Sequence, residues 1–203
     1  MTLSAVLIAR DEEANIRPCF DTFWPHVDEV VLCDTGSADG TIEAARAYAE
    51  WMGQPEKLVI GRFGWCDDFA AARNHAHGLA TRDWHVWLDL DDRIVNAVHL
   101  RSIAAEATAD VVCFPYAYRT IGTKSLVLAR PRLLRAGAVN WVGRVHEFPE
   151  YDKAEAETSL AVVVKHTRTD WTADRYDHII EQWLTEEPTN PLAIHHARLS
   201  GVR

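Results

Sequence analysis

Three carboxylates crowd the end of one apolar run. Trp84–Leu88 reads WHVWL and then breaks into Asp89, Leu90, Asp91 and Asp92. The run is short, aromatic and β-branched, the composition of a buried strand. Asp89 and Asp91 are two apart, so an extended backbone would point both the same way. Two such carboxylates repel each other unless a cation lies between them. Hard oxygen ligands suit Mg²⁺ or Mn²⁺, and those ions suit the phosphates of a nucleotide. An isolated D-x-D is also an ordinary polar turn after a strand. What else the chain brings to the place decides between the two.

The elements that must position these groups alternate over residues 1–93. Leu3–Ala9 reads as a strand, and Arg10 to about Phe23 as a helix with acids in its first turn. Asp28–Cys33 is a second strand, ending in the turn-forming loop Asp34–Thr41. Helices over Thr41–Trp51 and Asp67–Ala80 flank a short strand at Lys57–Ile60. This is the pattern of a parallel sheet with helices on both faces, whose ligands sit at the strands' carboxyl ends. The second half differs. Ala97–Ala107 is a helix, and Asp110–Arg119, Ser125–Leu134, Asn140–Phe148 and Ser159–His166 read as strands with an antiparallel pair among them. Asp174–Glu187 and Pro191–Leu199 read as terminal helices. We expect a domain over 1–170, with a nucleotide-binding half (1–93) and an acceptor half (94–170), and a helical appendage over 171–203.

Composition narrows the partners. The chain has 203 residues, 48% of them hydrophobic and 25% charged, which suits one globular domain with a large core. A net charge of −9 argues against a nucleic-acid partner and against adsorption on an anionic membrane. The four cysteines are scattered without a C-x-x-C pair, so a reducing, cytoplasmic setting is expected. No run approaches membrane-spanning length. Of the ten histidines, His26, His99, His195 and His196 read as surface residues, and His85 as buried but hydrogen-bonded.

Four stretches, taken together and in order, resemble the family 2 glycosyltransferases with the GT-A fold. Ile8–Ile16 (IARDEEANI) is similar to the family's opening strand and its K-N-E-E-x-N continuation, with Arg10-Asp11 in place of Lys-Asn. Val31–Thr41 (VLCDTGSADGT) is close to V-D-T-G-S-x-D-G-T, and Trp65–Asn74 (WCDDFAAARN) to W-x-D-D-F-x-x-A-R-N. Trp87–Asp92 (WLDLDD) is close to W-L-D-A-D-E. Further on, Arg130–Arg135 and Gly143–Glu147 resemble a segment found in peptide glycosyltransferases and lipopolysaccharide-core glucosyltransferases, many of which continue into tetratricopeptide repeats. Tyr176–Leu199 is similar to the opening of one such repeat.

The resemblance implies an α/β GT-A architecture: a Rossmann-like, mostly parallel sheet, an antiparallel C-terminal portion and terminal helices. It implies a metal-dependent, inverting transferase that takes its sugar from a nucleotide sugar, with a UDP-sugar expected. Asp34 falls at the family's nucleoside-binding aspartate, and Ala9 and Arg10 also at the nucleoside. Arg73, with Asp68 in the same stretch, is the cation expected at the nucleotide or its phosphate; its alternative is an ion pair with Asp67 or Asp68. Asp89 is expected to face the sugar or ribose, Asp91 to hold Mn²⁺ or Mg²⁺, Asp92 to support the site from its rim, and His166 to complete the metal's ligands. With Asp34 and Asp91 committed to donor and metal, the base should come from the second half, where Glu147 follows a strand-like run. Its alternative is an ion pair with Arg132 or Arg144.

The acceptor is expected on a protein or peptide, with a lipopolysaccharide or other glycan core as the alternative. A nucleotidyltransferase would want a glycine-rich loop after the first strand, where this chain has Arg10–Glu13. A nucleotide-sugar-binding module without catalysis is the rival from another class.

Overall fold

The computed structural model describes residues 1–121, 124–167 and 176–202, and of residues 119–121, 124 and 125 the backbone alone. Strands β1 (Leu3–Ala9), β2 (Glu29–Asp34), β3 (Leu58–Arg62) and β4 (Trp84–Trp87) lie parallel in the order β3-β2-β1-β4. Helices α1 (Glu13–Phe20), α2 (Thr41–Trp51) and α3 (Phe69–Leu79) connect them. Both faces of β1 are buried, and alternation sorts its side chains. Leu3, Ala5, Leu7 and Ala9 join the main core with Ile16 and Phe20 of α1 and Ala45 of α2, while Val6 packs with Ala76 of α3.

Past β4 the sheet turns mixed. Strand β5 (Asp92–Val95) precedes α4 (Leu100–Glu106) and the long strands β6 (Val111–Ile121) and β7 (Lys124–Arg135). Strand β7 runs antiparallel to both β4 and β6. The remaining strands are β8 (Asn140–Val142), β9 (Phe148–Glu150), β10 (Glu157–Thr158) and β11 (Val163–His166). Strand β11 lies between β6 and β5, β10 pairs with β6, and β8 with β9 forms a separate ribbon. The expected strand over Asn140–Phe148 is therefore two strands with a loop between them. The expected strand from Ser159 is ordered as β11 only from Val163.

Helices α5 (Asp177–Glu186) and α6 (Pro191–Ser200) close the chain. The expected start of the first, at Asp174, lies outside the described residues, as does the expected domain boundary at 170/171. Ile179, Ile180 and Trp183 of α5 and Ala193 and Ala197 of α6 bury Val145 from the β8–β9 loop. His196, expected at the surface, is buried. Among the described residues no helix is long and apolar enough to cross a membrane.

Candidate functional site

The carboxyl ends of β1, β2 and β4 open on one side of the sheet. A cleft of about 790 Å³ lies there, lined among others by Ala9, Arg10, Thr35, Trp65, Arg73, Asp89, Asp91, Arg130, Glu147 and His166. Groups far apart in sequence thus share one cavity.

The chain leaves β4 through buried Leu88 and turns at once. The Asp92 N–H donates to the Asp89 carbonyl at 2.9 Å, and the Asp89 N–H to Asp92 Oδ2 at 3.2 Å. Residues 89–92 are a tight turn, not the extended backbone expected, so Asp89 and Asp91 serve different partners. Asp89 meets Arg73. Asp91 meets His166, because β11 pairs antiparallel with β5 and sets His166 opposite Asp92. The Thr167 N–H and hydroxyl both donate to the Asp91 carbonyl, at 2.9 and 2.6 Å, and lock that register.

His166 Nδ1 lies 3.5 Å from Asp91 Oδ1 and 3.4 Å from Asp92 Oδ1. One ligand atom from each of Asp91, Asp92 and His166 falls within 4.8 Å of the others. A carboxylate-rich set with one imidazole fits Mn²⁺ or Mg²⁺. Asp92 is the least available member. It is fully buried rather than at the rim, with Oδ2 3.0 Å from Arg132 Nη1 and Oδ1 accepting from the Tyr116 hydroxyl at 2.9 Å. Asp91 and His166 line the cleft and would hold an ion there, while Asp92 does not line it. Arg132 lies over the Trp87 ring at 3.7 Å and the Tyr116 ring at 4.4 Å, which fixes its charge beside Asp92. Burial, and then Asp92, push the Tyr116 hydroxyl's pKa far up, so it stays a donor.

Arg73 binds neither Asp67 nor Asp68. Its Nη2 donates to Asp89 Oδ1 and its Nε to Glu147 Oε1, each at 2.7 Å. The guanidinium lies 4.5 Å over Trp87 and 5.0 Å over Trp141. Burial alone would favour its neutral form, but the two carboxylates outweigh that and hold it charged. Asp89 shows the reverse balance. Burial pushes its carboxyl up, and Arg73 followed by Arg132 brings it below the ordinary range. Asn74, next to Arg73, braces Trp141 with two reciprocal backbone bonds of 2.8 and 3.0 Å.

Glu147 sits in the β8–β9 loop, paired with Arg73 and not with Arg132 or Arg144. Two left-handed residues shape the loop, Gly143 at φ 93° and His146 at φ 52°. The second is strained for a residue with a side chain. The helical pair holds it: Val145 is buried there, Arg144 pairs with Glu186 at 2.6 Å, and the His146 ring lies 5.1 Å from that of His196. Among the described residues nothing bonds Glu147 Oε2.

Two expected nucleotide ligands, Asp68 and Asp34, make capping contacts within the chain. Asp68 caps α3, accepting the Ala71 N–H at 2.8 Å. Asp34 accepts the N–H groups of Gly36 and Ser37 at 3.3 and 3.1 Å and closes the loop after β2. Neither is among the residues lining the cleft, whereas Ala9, Arg10 and Thr35 are. Sequence reasoning missed Tyr116 as a member of the site, and saw Arg132 only as a partner for Glu147. The signal available for both was a polar group inside an apolar strand.

Residues 4–161 match the family model for glycosyl transferase family 2. The chain is 24% identical over 207 residues to the SPbeta prophage-derived glycosyltransferase SunS of Bacillus subtilis, covering 94% of this chain and 47% of the relative. It is 39% identical over 93 residues to a TPR repeat-containing protein of Synechococcus elongatus, covering 46% and 21%. The chain thus spans less than half the length of either relative. Among solved structures, S. aureus TarS 1–349 in complex with UDP-GlcNAc superposes with a TM-score of 0.60 at 14% identity, over 98% of this chain and 70% of that one. A mycobacterial protein gives a TM-score of 0.58 at 17% identity, over 91% and 74%. The TarS superposition shows the GT-A fold for this chain.

Proposed function

Because the chain belongs to glycosyl transferase family 2, we propose that it moves a sugar from a UDP-sugar to a nucleophile on a protein or peptide, inverting the transferred carbon and using Mn²⁺ or Mg²⁺. One observation carries the reading. A single cleft gathers the nucleoside end (Ala9, Arg10, Thr35), the Asp91–His166 pair and Glu147. The UDP-GlcNAc complex of the TarS neighbour supports the choice of nucleotide.

The roles follow from the contacts. Ala9, Arg10 and Thr35 form the nucleoside wall, and Asp34 supports it from behind by closing the loop. Asp91 and His166 would hold the ion, and Asp92, clamped by Arg132 and Tyr116, fixes the turn that presents them. A divalent ion there supplies charge neutralisation for the departing diphosphate. Asp89 faces the donor from the other side of the turn. Arg73 spans Asp89 and Glu147, so donor-facing and acceptor-facing carboxylates keep a fixed separation. Glu147 is the base: Arg73 fixes Oε1, and Oε2 takes the acceptor's proton as the new bond forms. No enzyme nucleophile is needed for a single in-line displacement.

Calorimetric titration of UDP with and without Mn²⁺ tests the donor half. Mn²⁺ should tighten UDP binding to the parent protein and leave Asp91→Asn unaffected; equal binding by both overturns the assignment. For the acceptor half, Glu147→Gln should keep UDP binding and slow transfer at least ~100-fold.

A further inference from the structure

Strand β7 outruns its partner β4. The two pair only over Leu133–Arg135, so the amino-terminal part of β7 passes β4's end and enters the space above the sheet. There Ala129, Arg130 and Pro131 line the same cleft as Asp91 and Glu147. On its other side β7 pairs with β6, and the register is Cys113 to Pro131, Pro115 to Ala129 and Ala117 to Val127.

That register says which way the peptide groups point. In an antiparallel pair, opposed residues alternate between exchanging hydrogen bonds and turning them outward. The Cys113 carbonyl faces away from β7, because it accepts the Ser159 N–H at 3.0 Å. The Pro131 carbonyl faces away from β6, because it accepts Trp87 Nε1 at 2.7 Å. Pro115 has no N–H to give Ala129. All three observations put these pairs in the outward class. Val127 and Ala129 therefore aim their N–H and C=O groups at the open flank of β7, where no described strand lies. Leu126, Val127 and Leu128 are 54%, 49% and 41% exposed. An exposed apolar edge of this kind is a template for another strand.

Charge identifies the occupant. Arg130 lines the cleft close enough to influence Tyr118 and Tyr151, and Lys153 lines it as well. Neither has an ion-pair partner among the described residues, although the chain carries −9 overall. We propose that the open flank of β7 seats the acceptor as an added strand: an extended peptide that bonds Val127 and Ala129 through its main chain and meets Arg130 through an acidic side chain. This rests on the reading that the acceptor is a peptide. It gives the mode of recognition, main-chain bonds for affinity and alternate side chains for selection, and it directs the nucleophilic residue along the cleft towards Glu147.

The test uses the full chain saturated with UDP and Mn²⁺. The probes are short, end-blocked peptides of alternating Thr and Val around a central Ser, flanked by Glu or by Lys and read by fluorescence anisotropy. The Glu peptide should bind about tenfold more tightly than the Lys peptide, and Arg130→Glu should reverse the order. Ala129→Pro removes an outward N–H the fold does not use, as Pro131 already does two residues on, and should weaken the Glu peptide about tenfold while UDP affinity and melting temperature hold. N-methylation should abolish binding at alternate amides only. Peptide binding unchanged in Ala129→Pro, no charge preference, or no alternation overturns the proposal. So does a dimer that Ala129→Pro dissociates, which would assign the flank to a second copy. Failure of UDP itself to bind would instead remove the donor reading, and the peptide data would still judge β7.

Discussion

Replacing Arg73 by methionine separates the roles of the buried cation. Methionine keeps much of the volume between Trp87 and Trp141 and removes the charge. Arg73's side chain is 6% exposed, Glu147's 12% and Asp89's 36%. Stripping one partner from a buried ion pair costs about 3–5 kcal/mol, because the other charge is left in place without compensation. Water screens Asp89's share, so the low end applies, about 3 kcal/mol. For a chain of this length that lowers the melting temperature by about 6–12 °C. The pH dependence gives a second reading. Asp89's folded pKa lies below its ordinary value, so its stabilisation is present at neutral pH and is lost as pH falls through the folded pKa. The gap between parent and Arg73→Met should therefore narrow below about pH 4. Adding Glu147→Gln to Arg73→Met should restore part of the loss by removing the stranded charge. Urea unfolding followed by tryptophan fluorescence across pH measures all three. A variant as stable as the parent, a gap that does not change with pH, or no rescue by Glu147→Gln would refute the bridge.

Other positions give sharper single readings. Asp34→Ala should lose about 1–2 kcal/mol with the two N–H bonds it accepts, and UDP affinity should fall with it. Asp34→Asn keeps one of the two acceptor oxygens, so it should lose less stability than Asp34→Ala, with UDP affinity falling in step; an Asn variant of parental stability that binds UDP poorly would make Asp34 a direct nucleoside ligand. Burial, then His85, pulls His77 from the ordinary 6.5 down to about 3, so only the unfolded chain takes up a proton in that window. Stability should fall on acidification below about pH 6.5, by up to about 1.4 kcal/mol per pH unit, and His77→Gln should flatten that limb in urea titrations. Val145→Ala should cost about 1.5–2.5 kcal/mol and lower kcat more than it raises KM; a KM effect alone would separate the terminal helices from Glu147.

Local pattern carried the first half of the chain. Helix α2 occupies Thr41–Trp51 as expected, because turn residues bracket a clean helical periodicity. Strand β1 occupies Leu3–Ala9. Carboxylates at the end of β4 were legible because an apolar run stops abruptly there. The failures are long-range. Nothing near Arg73 announces partners 16 and 74 residues away, and the adjacent Asp67 and Asp68 are the obvious wrong choice. Asn140–Phe148 alternates like one strand, yet Gly143 and His146 turn left-handed because Val145 must reach the helices. Gly143 was the visible clue. Strand β5 escaped notice because Asp92 and Arg93 open it, and it forms by pairing with β11.

The charges explain why the site is built this way. Asp89, Asp91, Asp92 and Glu147 bring four negative charges together, and Arg73 and Arg132 bring two positive ones. Among these groups two negative charges remain, beside a cleft proposed to receive a diphosphate. Arg10, Arg130 and Lys153 line the same cleft, but this carboxylate end of it would repel a diphosphate. Arg73 and Arg132 do not cure this, because each is already spent on carboxylates and stacked on Trp87. Their positions divide the cluster. Arg132 quenches Asp92 in the interior, and Arg73 ties Asp89 to Glu147, while Asp91 lies beside His166 at the cleft. A divalent ion held by Asp91 and His166 would offset negative charge at that end of the cleft, so donor binding and metal binding should be one linked event.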